Sequence, residues 1–308
     1  MARLDQASQF DVGQSVEQIA INLHRANTAI CIRYIKSQSA IQMSYSLGSS
    51  KQEQTRLIRQ VALYGDTNRL TFKGTSVCEF GCGAGANLWI AKQVAPKTYY
   101  GVDNLPEQLA AAQSRADALG LLNVKLLARD ASDSGLAKHT VDAVFCRLLL
   151  IHQPEPSTVI DEMIRVLRPG GRLVIHEPYG PGHFCSPGKP NLVKCFRART
   201  QLAYGDGKGT PDVAHDLYRL LVNAGLVDVQ LRPHVITAFG NNHQRARDFL
   251  QHWIQIIEPI SEQLIAADAV TSNELQRASE EAKSVPPELL ICHTMWCAEA
   301  TKPLRYRD

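Results

Sequence analysis

The chain has no long apolar run and almost no net charge. No apolar stretch approaches the roughly 20 residues that span a bilayer, and the first residues, MARLDQASQFDVGQ, lack the apolar core of a signal peptide. The net charge of +3 is too small to attract nucleic acid through bulk electrostatics. We therefore expect a cytoplasmic protein that binds neither membranes nor nucleic acid.

The sequence also lacks the cysteine spacings of metal sites and redox motifs. Its eight cysteines are scattered, and none forms a CxxC pair or a Cys/His ligand set. Most of them lie in apolar, strand-like runs, where a thiol acts as a small hydrophobic group. We predict no metal site and a reduced, intracellular setting.

The N-terminal part has helical rather than strand patterns. Apolar spacing over about 14–36 suits an amphipathic helix. A second helix is predicted after Ser49 or Ser50, either of which can cap it, with Glu53 in its first turn. Its buried side is predicted to consist of four apolar residues, Leu57, Ile58, Val61 and Leu63. We assign residues 1–70 to an N-terminal helical cap.

From Thr75 onwards, strand and helix candidates alternate, which is typical of a doubly wound α/β sheet with ligands at the carboxyl ends of its strands. The strand candidates are 76–80, 98–103, 124–130, 141–149 and 172–178, followed after a break by 227–239 and 289–300. The helical candidates are 86–95, 106–119, 156–167, 211–224, 243–268 and 271–284. Residues 71–308 are therefore predicted to form one domain, with helical insertions at about 185–225 and 243–284.

The stretch TSVCEFGCGAGAN places glycines after a strand and before a helix. Backbone at Gly81 and Gly83 can approach a ligand closely, and the following helix offers free N–H groups. A dinucleotide could place its pyrophosphate there, but Glu79 would then lie beside the phosphates. A ligand with an ammonium group suits Glu79 better. The alternative is a turn that only packs a helix on a strand.

Two further acids follow the next two strands. Asp103 ends the second strand about 20 residues after the glycines, where a carboxylate can accept both ribose hydroxyls. Asp130, followed by Ala131, ends the third strand, where it could accept the amine of adenine. The alternatives are a solvent-facing acid at Asp103 and a helix cap at Asp130.

In this order and spacing the chain resembles the class I S-adenosylmethionine-dependent methyltransferases, and more narrowly a subgroup that acts on small molecules. The resemblance covers roughly residues 40–180. It rests on EFGCGAG, Asp103, RDASD, DAVFCRLLLIHQPEP and LRPGGRLVIHEP, with YSLGSSKQEQTRLIRQ for the subgroup.

The resemblance implies a Rossmann-like, seven-stranded methyltransferase sheet with helices on both faces and S-adenosyl-L-methionine as cofactor. It implies methyl transfer to a small-molecule acceptor, such as a metabolite of specialised biosynthesis. The cofactor-binding residues it implies are Tyr45, Glu79, Gly81, Cys82, Gly83, Asp103, Asn104, Asp130, Ala131 and Arg147.

A base is needed only where the acceptor loses a proton near the transition state. The candidates are His152 in LLLIHQPEP and Glu177 and Tyr179 in VIHEPYG, because both segments are expected to leave the sheet at its ligand end. His152 could instead only shape the pocket. We favour Glu177 over His176, since neighbouring strand residues face opposite ways and His176 is expected in a packed face.

Two features bear on the acceptor. Basic residues without any acid (Lys189, Lys194, Arg197 and Arg199) could form a rim for an anion, or only a solvated face. Apolar residues recur at helical spacing over 246–260 and could form a lid, a homodimer face or ordinary core. Together they suggest an acceptor with an apolar body and a negative head.

Two other functions fit part of the pattern. An NAD(P)-dependent oxidoreductase would share Gly81, Gly83 and Asp103, but would leave Glu79 and Asp130 unexplained. A non-catalytic protein that binds S-adenosylmethionine would show affinity for the cofactor without turnover.

Overall fold

A computed structural model describes residues 49–64 and 76–306. All of them lie within one compact unit. The helix predicted at 14–36, the cofactor residue Tyr45 and most of the predicted 1–70 cap lie outside the described residues, so those assignments stay predictions.

The described residues form an eight-stranded sheet. Its strands are β1 (Ser76–Phe80), β2 (Thr98–Asp103), β3 (Val124–Ala128), β4 (Val141–Arg147), β5 (Leu167–Pro178), β6 (Phe184–Ser186), β7 (Val227–Phe239) and β8 (Leu290–Thr301). The first five are parallel in the order β3-β2-β1-β4-β5, and β8 lies antiparallel between β5 and β7. All seven predicted strands are confirmed, and the short β6, which pairs with the start of β8, is an eighth that the sequence pattern did not indicate.

The helices fill the connections between the strands. They are α1 (Lys51–Tyr64), α2 (Trp89–Val94), α3 (Pro106–Ala118), α4 (Pro156–Val166), α5 (Pro190–Tyr204), α6 (Val213–Asn223), α7 (His243–Ile257), α8 (Ser261–Ala266) and α9 (Ser272–Lys283). A 3-10 turn at Leu150–His152 follows β4. No described helix is long and apolar enough to cross a membrane.

Alternate residues of the strands feed two cores on opposite faces of the sheet. One core joins Val77, Tyr99 and Phe145 to α2 and α3, and the other joins Phe80 and Cys146 to α4 and α6. A third core combines α5, α7 and α9 with the first half of β8. Because β8 runs antiparallel to β5, this third core lies beyond the carboxyl end of β5.

The predicted cap of α1 is confirmed, since Ser50 Oγ accepts the backbone N–H of Glu53 at 3.1 Å. The predicted buried side is wrong. Of its four apolar residues only Leu63 is buried, and the buried face also carries Glu53, Arg56, Gln60 and Tyr64. These residues share the side at which α1 packs on α7. His252 of α7 is a polar partner there for Gln60 and Tyr64.

Candidate functional site

The glycine turn closes tightly at the carboxyl end of β1. Gly81 and Gly83 have φ of +68° and +50°, a region that side chains disfavour, and the N–H groups of Gly81 and Cys82 both donate to the carbonyl of Val102 on β2. Among the described residues, a Cβ on Gly83 would meet only Leu57 Cδ1 of α1, at 3.9 Å. The surface of the turn is therefore open backbone with α1 lying nearby.

Asp103 joins the tip of β2 to this turn. Its Oδ2 accepts the N–H of Gly83 at 2.9 Å and its Oδ1 accepts the N–H of Leu105 at 3.0 Å. A carboxylate has about four acceptor positions, so Asp103 keeps acceptor capacity for a ligand. Burial raises the pKa of Asp103, although these amides oppose the shift.

The predicted adenine and ribose residues lie at neighbouring strand tips. The N–H of Arg129, just past β3, donates to the carbonyl of Asp103, which brings the segment of Asp130 and Ala131 beside β2. Asn104 and Asp130 are exposed, and Ala131 is half-buried. Asp130 Oδ1 accepts the N–H and hydroxyl of Ser132, so part of its capacity is used in its own turn.

Glu79 is enclosed rather than open to a ligand. Its oxygens accept hydrogen bonds from Asn87 Nδ2 at 2.7 Å and from the Tyr99 hydroxyl at 2.5 Å. Full burial raises its pKa to about 7, against the opposing effects of these two donors and of Arg147. In this structure Glu79 ties β1 to β2 and to the start of α2, and its contact with an ammonium group stays a prediction.

Arg147 ends β4 on the same face of the sheet as Glu79. Glu79 pairs in register with Phe145, and Arg147 lies two residues further along β4. Arg147 is 7% exposed, and no described residue hydrogen-bonds its Nη1. Burial lowers its pKa, while Glu79 and Tyr64 oppose that effect. A buried cationic donor without a partner suits an anionic ligand group.

Two candidate bases, Glu177 and His152, belong to segments that are joined by hydrogen bonds. Glu177 is fully buried, and it accepts the N–H groups of Leu149 at 3.0 Å, Leu150 at 2.7 Å and Ile151 at 3.4 Å. This carboxylate holds the turn that carries His152 and is not directed at an acceptor. The half-buried His152 ring meets Tyr204 edge-on at 5.1 Å. Burial, with Arg199 and Arg56 nearby, lowers the pKa of His152 to about 3, so it is neutral.

His176 and Tyr179 do not join His152. As predicted, His176 lies in a packed face, where its ring meets Phe145 edge-on at 5.4 Å. The hydroxyl of Tyr179 contacts Nε2 of His215 on α6 at 3.1 Å. The structure therefore assigns Tyr179 a contact with α6 and brings neither residue against His152.

The basic stretch does not act as one surface. Lys189 Nζ donates to the carbonyls of Glu281 and Ser284 at the end of α9, and Lys194 pairs with Glu274. Arg197 is exposed. Arg199 is buried, as Lys189 is, and its Nη1 donates to the Tyr204 hydroxyl at 3.0 Å. The predicted cationic rim therefore reduces to one inward arginine beside Tyr204 and His152.

A group of buried rings, unforeseen from the sequence, lies in the third core; we call His183, His252 and His293 the histidine cluster. The Tyr64 ring stacks on His293 at 4.5 Å, and His293 stacks on His183 at 3.9 Å. The Tyr64 hydroxyl lies 3.2 Å from His252 Nε2. Among the described residues no group of three or more His, Cys, Asp or Glu side chains is arranged to hold a metal ion.

The apolar side of α7 is core. Phe249, Leu250, Trp253 and Ile257 are each at most 1% exposed and pack within the third core. Its polar residue His252 also faces inwards.

The sequence of α1 contained a signal for its buried polar face, namely the helical spacing of Glu53, Arg56, Gln60 and Tyr64. A set of apolar residues with the same periodicity competed with that signal.

Comparison with known proteins agrees with this geometry. Residues 71–217 match the family model described as a methyltransferase domain. Phosphatidylethanolamine N-methyltransferase of Cereibacter sphaeroides is 36% identical over 104 residues, which are 33% of this chain and 50% of that protein. Methyltransferase GfsG of Streptomyces halstedii is 36% identical over 104 residues, or 33% of this chain and 37% of that protein.

The match to these relatives therefore spans half of their length or less. In the fold comparison, a Bacillus halodurans protein described as a methyltransferase gives a TM-score of 0.52 at 18% identity, covering 82% of this chain and 99% of that one. This likeness concerns the fold.

Proposed function

We propose that this chain, whose residues 71–217 match a methyltransferase domain, is a class I S-adenosylmethionine-dependent methyltransferase that methylates a small molecule. S-adenosylmethionine supplies a methyl group that is already activated by a positively charged sulfur. The acceptor forms a bond to the methyl carbon while the carbon–sulfur bond breaks, and a protic acceptor releases its proton. Positioning and exclusion of water are therefore the main tasks left to the protein.

The observation that carries the proposal is the buried Arg147, whose Nη1 is hydrogen-bonded by no described residue. The amino-acid tail of the cofactor ends in a carboxylate, the group that a guanidinium binds best. Glu79, on the same face of the neighbouring strand, supplies the opposite charge for the ammonium group. The pair thus complements a zwitterion.

The nucleoside lies across the next two strand tips. Asp103 is already fixed by Gly83 and has free acceptor capacity for ribose hydroxyls. Asn104 lies beside it, and Asp130 with Ala131 follows β3 for the adenine. Cys82 packs in the turn between the two glycines. The side chain of Leu57 on α1 faces the Gly83 backbone, so α1 is placed to shield the cofactor from water.

The acceptor lies where α1, α5 and α7 face the carboxyl ends of β4 and β5. Arg56, Arg199 and His152 approach one another there. Arg199 is a buried arginine whose Nη1 donates to the Tyr204 hydroxyl, and its positive charge suits a negative head group on the acceptor. The apolar residues of α7 beside it suit an apolar body, in keeping with an anionic or apolar metabolite.

Calorimetry with S-adenosylhomocysteine and with NAD⁺ tests the proposal. We expect S-adenosylhomocysteine to bind and NAD⁺ not to. Asp103→Ala combined with Glu79→Ala should abolish the binding, whereas Asp161→Ala, an exposed acid on α4, should not change it. Binding by the double variant at wild-type affinity would refute the proposal. Transfer of a labelled methyl group to small molecules of a cell extract then separates an enzyme from a binding protein.

A further inference from the structure

The histidine cluster contains an unusual concentration of unsatisfied polar atoms. No described residue hydrogen-bonds Nδ1 of His183, Nδ1 of His252, Nε1 of Trp253 or either ring nitrogen of His293. Native proteins bury only a few such groups per 100 residues, because each costs about 1–3 kcal/mol. Four of these five nitrogens belong to the histidine cluster and the fifth to Trp253. So many in one region indicate a place that receives hydrogen-bonding groups.

His293 is the centre of this cluster. It is 2% exposed, and Tyr64 and His183 cover the two faces of its ring. Its faces are therefore fixed, and only the ring edge that carries the two nitrogens is available for a polar contact. The stack holds this edge in one orientation.

The position of His293 is that of an acceptor contact. Met295 pairs with Pro178, the last residue of β5, so His293 lies two residues beyond the carboxyl end of that strand. Side chains alternate along β8, and Cys297 pairs with His176, which pairs with Arg147. His293 therefore projects from the same face of the sheet as Arg147.

The charge state of His293 restricts what it can bind. No acid is among the groups that influence it; these are His183, His252 and His234, and burial is the largest effect and lowers its pKa well below the usual range. A neutral imidazole offers one N–H donor and one lone pair. An anion can pair only with the N–H and an ammonium group only with the lone pair, whereas a group that both donates and accepts can pair with either nitrogen.

We propose that His293 recognises a neutral hydroxyl group on an apolar acceptor. A hydroxyl both donates and accepts, so it can pair with either ring nitrogen whichever tautomer is present. The flanking rings of Tyr64 and Phe249 supply apolar surface beside the contact. The inference rests on the proposed function and assigns a substrate class to the same site.

The test uses two probes of matched shape, 2-naphthol and 2-methylnaphthalene, titrated into the full chain loaded with S-adenosylhomocysteine. We expect 2-naphthol to bind the wild type at least tenfold more tightly, since a site built for a hydroxyl rejects the analogue without one. His293→Phe keeps a ring between Tyr64 and His183 but has no polar atom, so the ratio should fall to about one. His243→Phe, on the exposed first turn of α7, should leave the ratio unchanged.

A second measurement separates recognition from a structural role. If His293 awaits a ligand, His293→Phe should raise the melting temperature of the ligand-free chain, because two unsatisfied buried nitrogens are removed. A structural histidine would give a fall. His293→Leu repeats both measurements if the phenylalanine does not fit.

The proposal is overturned if the wild type binds neither probe, if it does not distinguish them, or if the apolar variants still do. Retained binding of S-adenosylhomocysteine alongside any of these results would refute this inference alone. Loss of that binding by the wild type would refute the proposed function.

Discussion

Glu177 on β5 accepts the backbone N–H of Leu150 at 2.7 Å, and so holds the turn that follows β4. The contact joins the ends of two neighbouring parallel strands at the ligand side of the sheet. Its carboxyl is fully buried, and burial raises its pKa to about 7 in spite of three amide donors. A residue that resembled a catalytic base in the sequence thus serves as a bracket for the segment that carries His152.

The raised pKa of Glu177 makes stability depend on pH. Its folded pKa lies above the unfolded value of 4.5, so the folded state retains the proton longer. Its stabilising contribution is complete below pH 4.5 and is lost as pH rises through about 7. Glu177→Gln keeps a neutral acceptor for Leu150. Between pH 5 and pH 8 the free energy of unfolding should fall in the wild type by about 2 kcal/mol more than in the variant. Urea titration at the two pH values measures both.

Parallel pH curves for the two proteins would contradict this prediction. Glu79, whose pKa is also raised to about 7, contributes the same dependence to both proteins and so cancels in the comparison.

Arg147 is predicted to bind the carboxylate of the cofactor. Arg147→Met should weaken the binding of S-adenosylhomocysteine by about ten- to hundredfold, the usual effect of one charge-assisted hydrogen bond. Arg172→Met is the matched control. Arg172 forms an ion pair with Glu299 of β8, and it lies on β5 far from the carboxyl end of that strand. Isothermal titration at low salt measures both, and equal affinities would count against the assignment.

The glycine turn separates a binding effect from a folding effect. Both Gly83→Ala and Gly85→Ala place a side chain at positive φ, which costs about 1–2 kcal/mol. A Cβ on Gly85 would also come within 3.1 Å of the Ala112 backbone, whereas a Cβ on Gly83 would meet, of the residues that the structure describes, only Leu57 at 3.9 Å. Gly85→Ala should therefore lower the free energy of unfolding by at least 1 kcal/mol more.

Gly83→Ala should instead show the larger loss of affinity for S-adenosylhomocysteine relative to its loss of stability. Chemical denaturation and calorimetry on the same samples measure the two quantities. A ranking opposite to this one would mean that the open side of the turn is not the cofactor side.

Lys189 is predicted to be structural. Its ammonium satisfies two carbonyls at the end of α9 and is 6% exposed, so Lys189→Met should lower the free energy of unfolding by about 1–3 kcal/mol. Arg197→Met, an exposed change on α5, should stay within about 0.5 kcal/mol of the wild type. Equal stabilities of these variants would restore the interpretation of the stretch as a uniform basic face.

The sheet was predictable because its information is local. Short apolar runs such as those of β1 and β2 are confirmed with their predicted bounds, and the glycines after β1 mark where that strand ends. The glycine turn and Asp103 meet because the carboxyl ends of parallel strands share an edge. These parts of the candidate site follow from strand order alone.

The inner lining of the site was not predictable in the same way. Whether a polar side chain is buried depends on partners distant in sequence, as with Tyr64 and His252, 188 residues apart. Glu177 illustrates the same limit, since only the fold shows that backbone amides occupy its oxygens. The buried face of α1 was mistaken because an apolar and a polar set had equal periodicity.

The long strand β8 belongs to two cores at once. Its second half pairs with β5 in the main sheet, and its first half pairs with β6 under α5 and α7, while β7 borders its whole length. Because β8 is continuous, the third core is not expected to move as a separate lobe relative to the main sheet. Such a motion would break the backbone hydrogen bonds on both edges of β8.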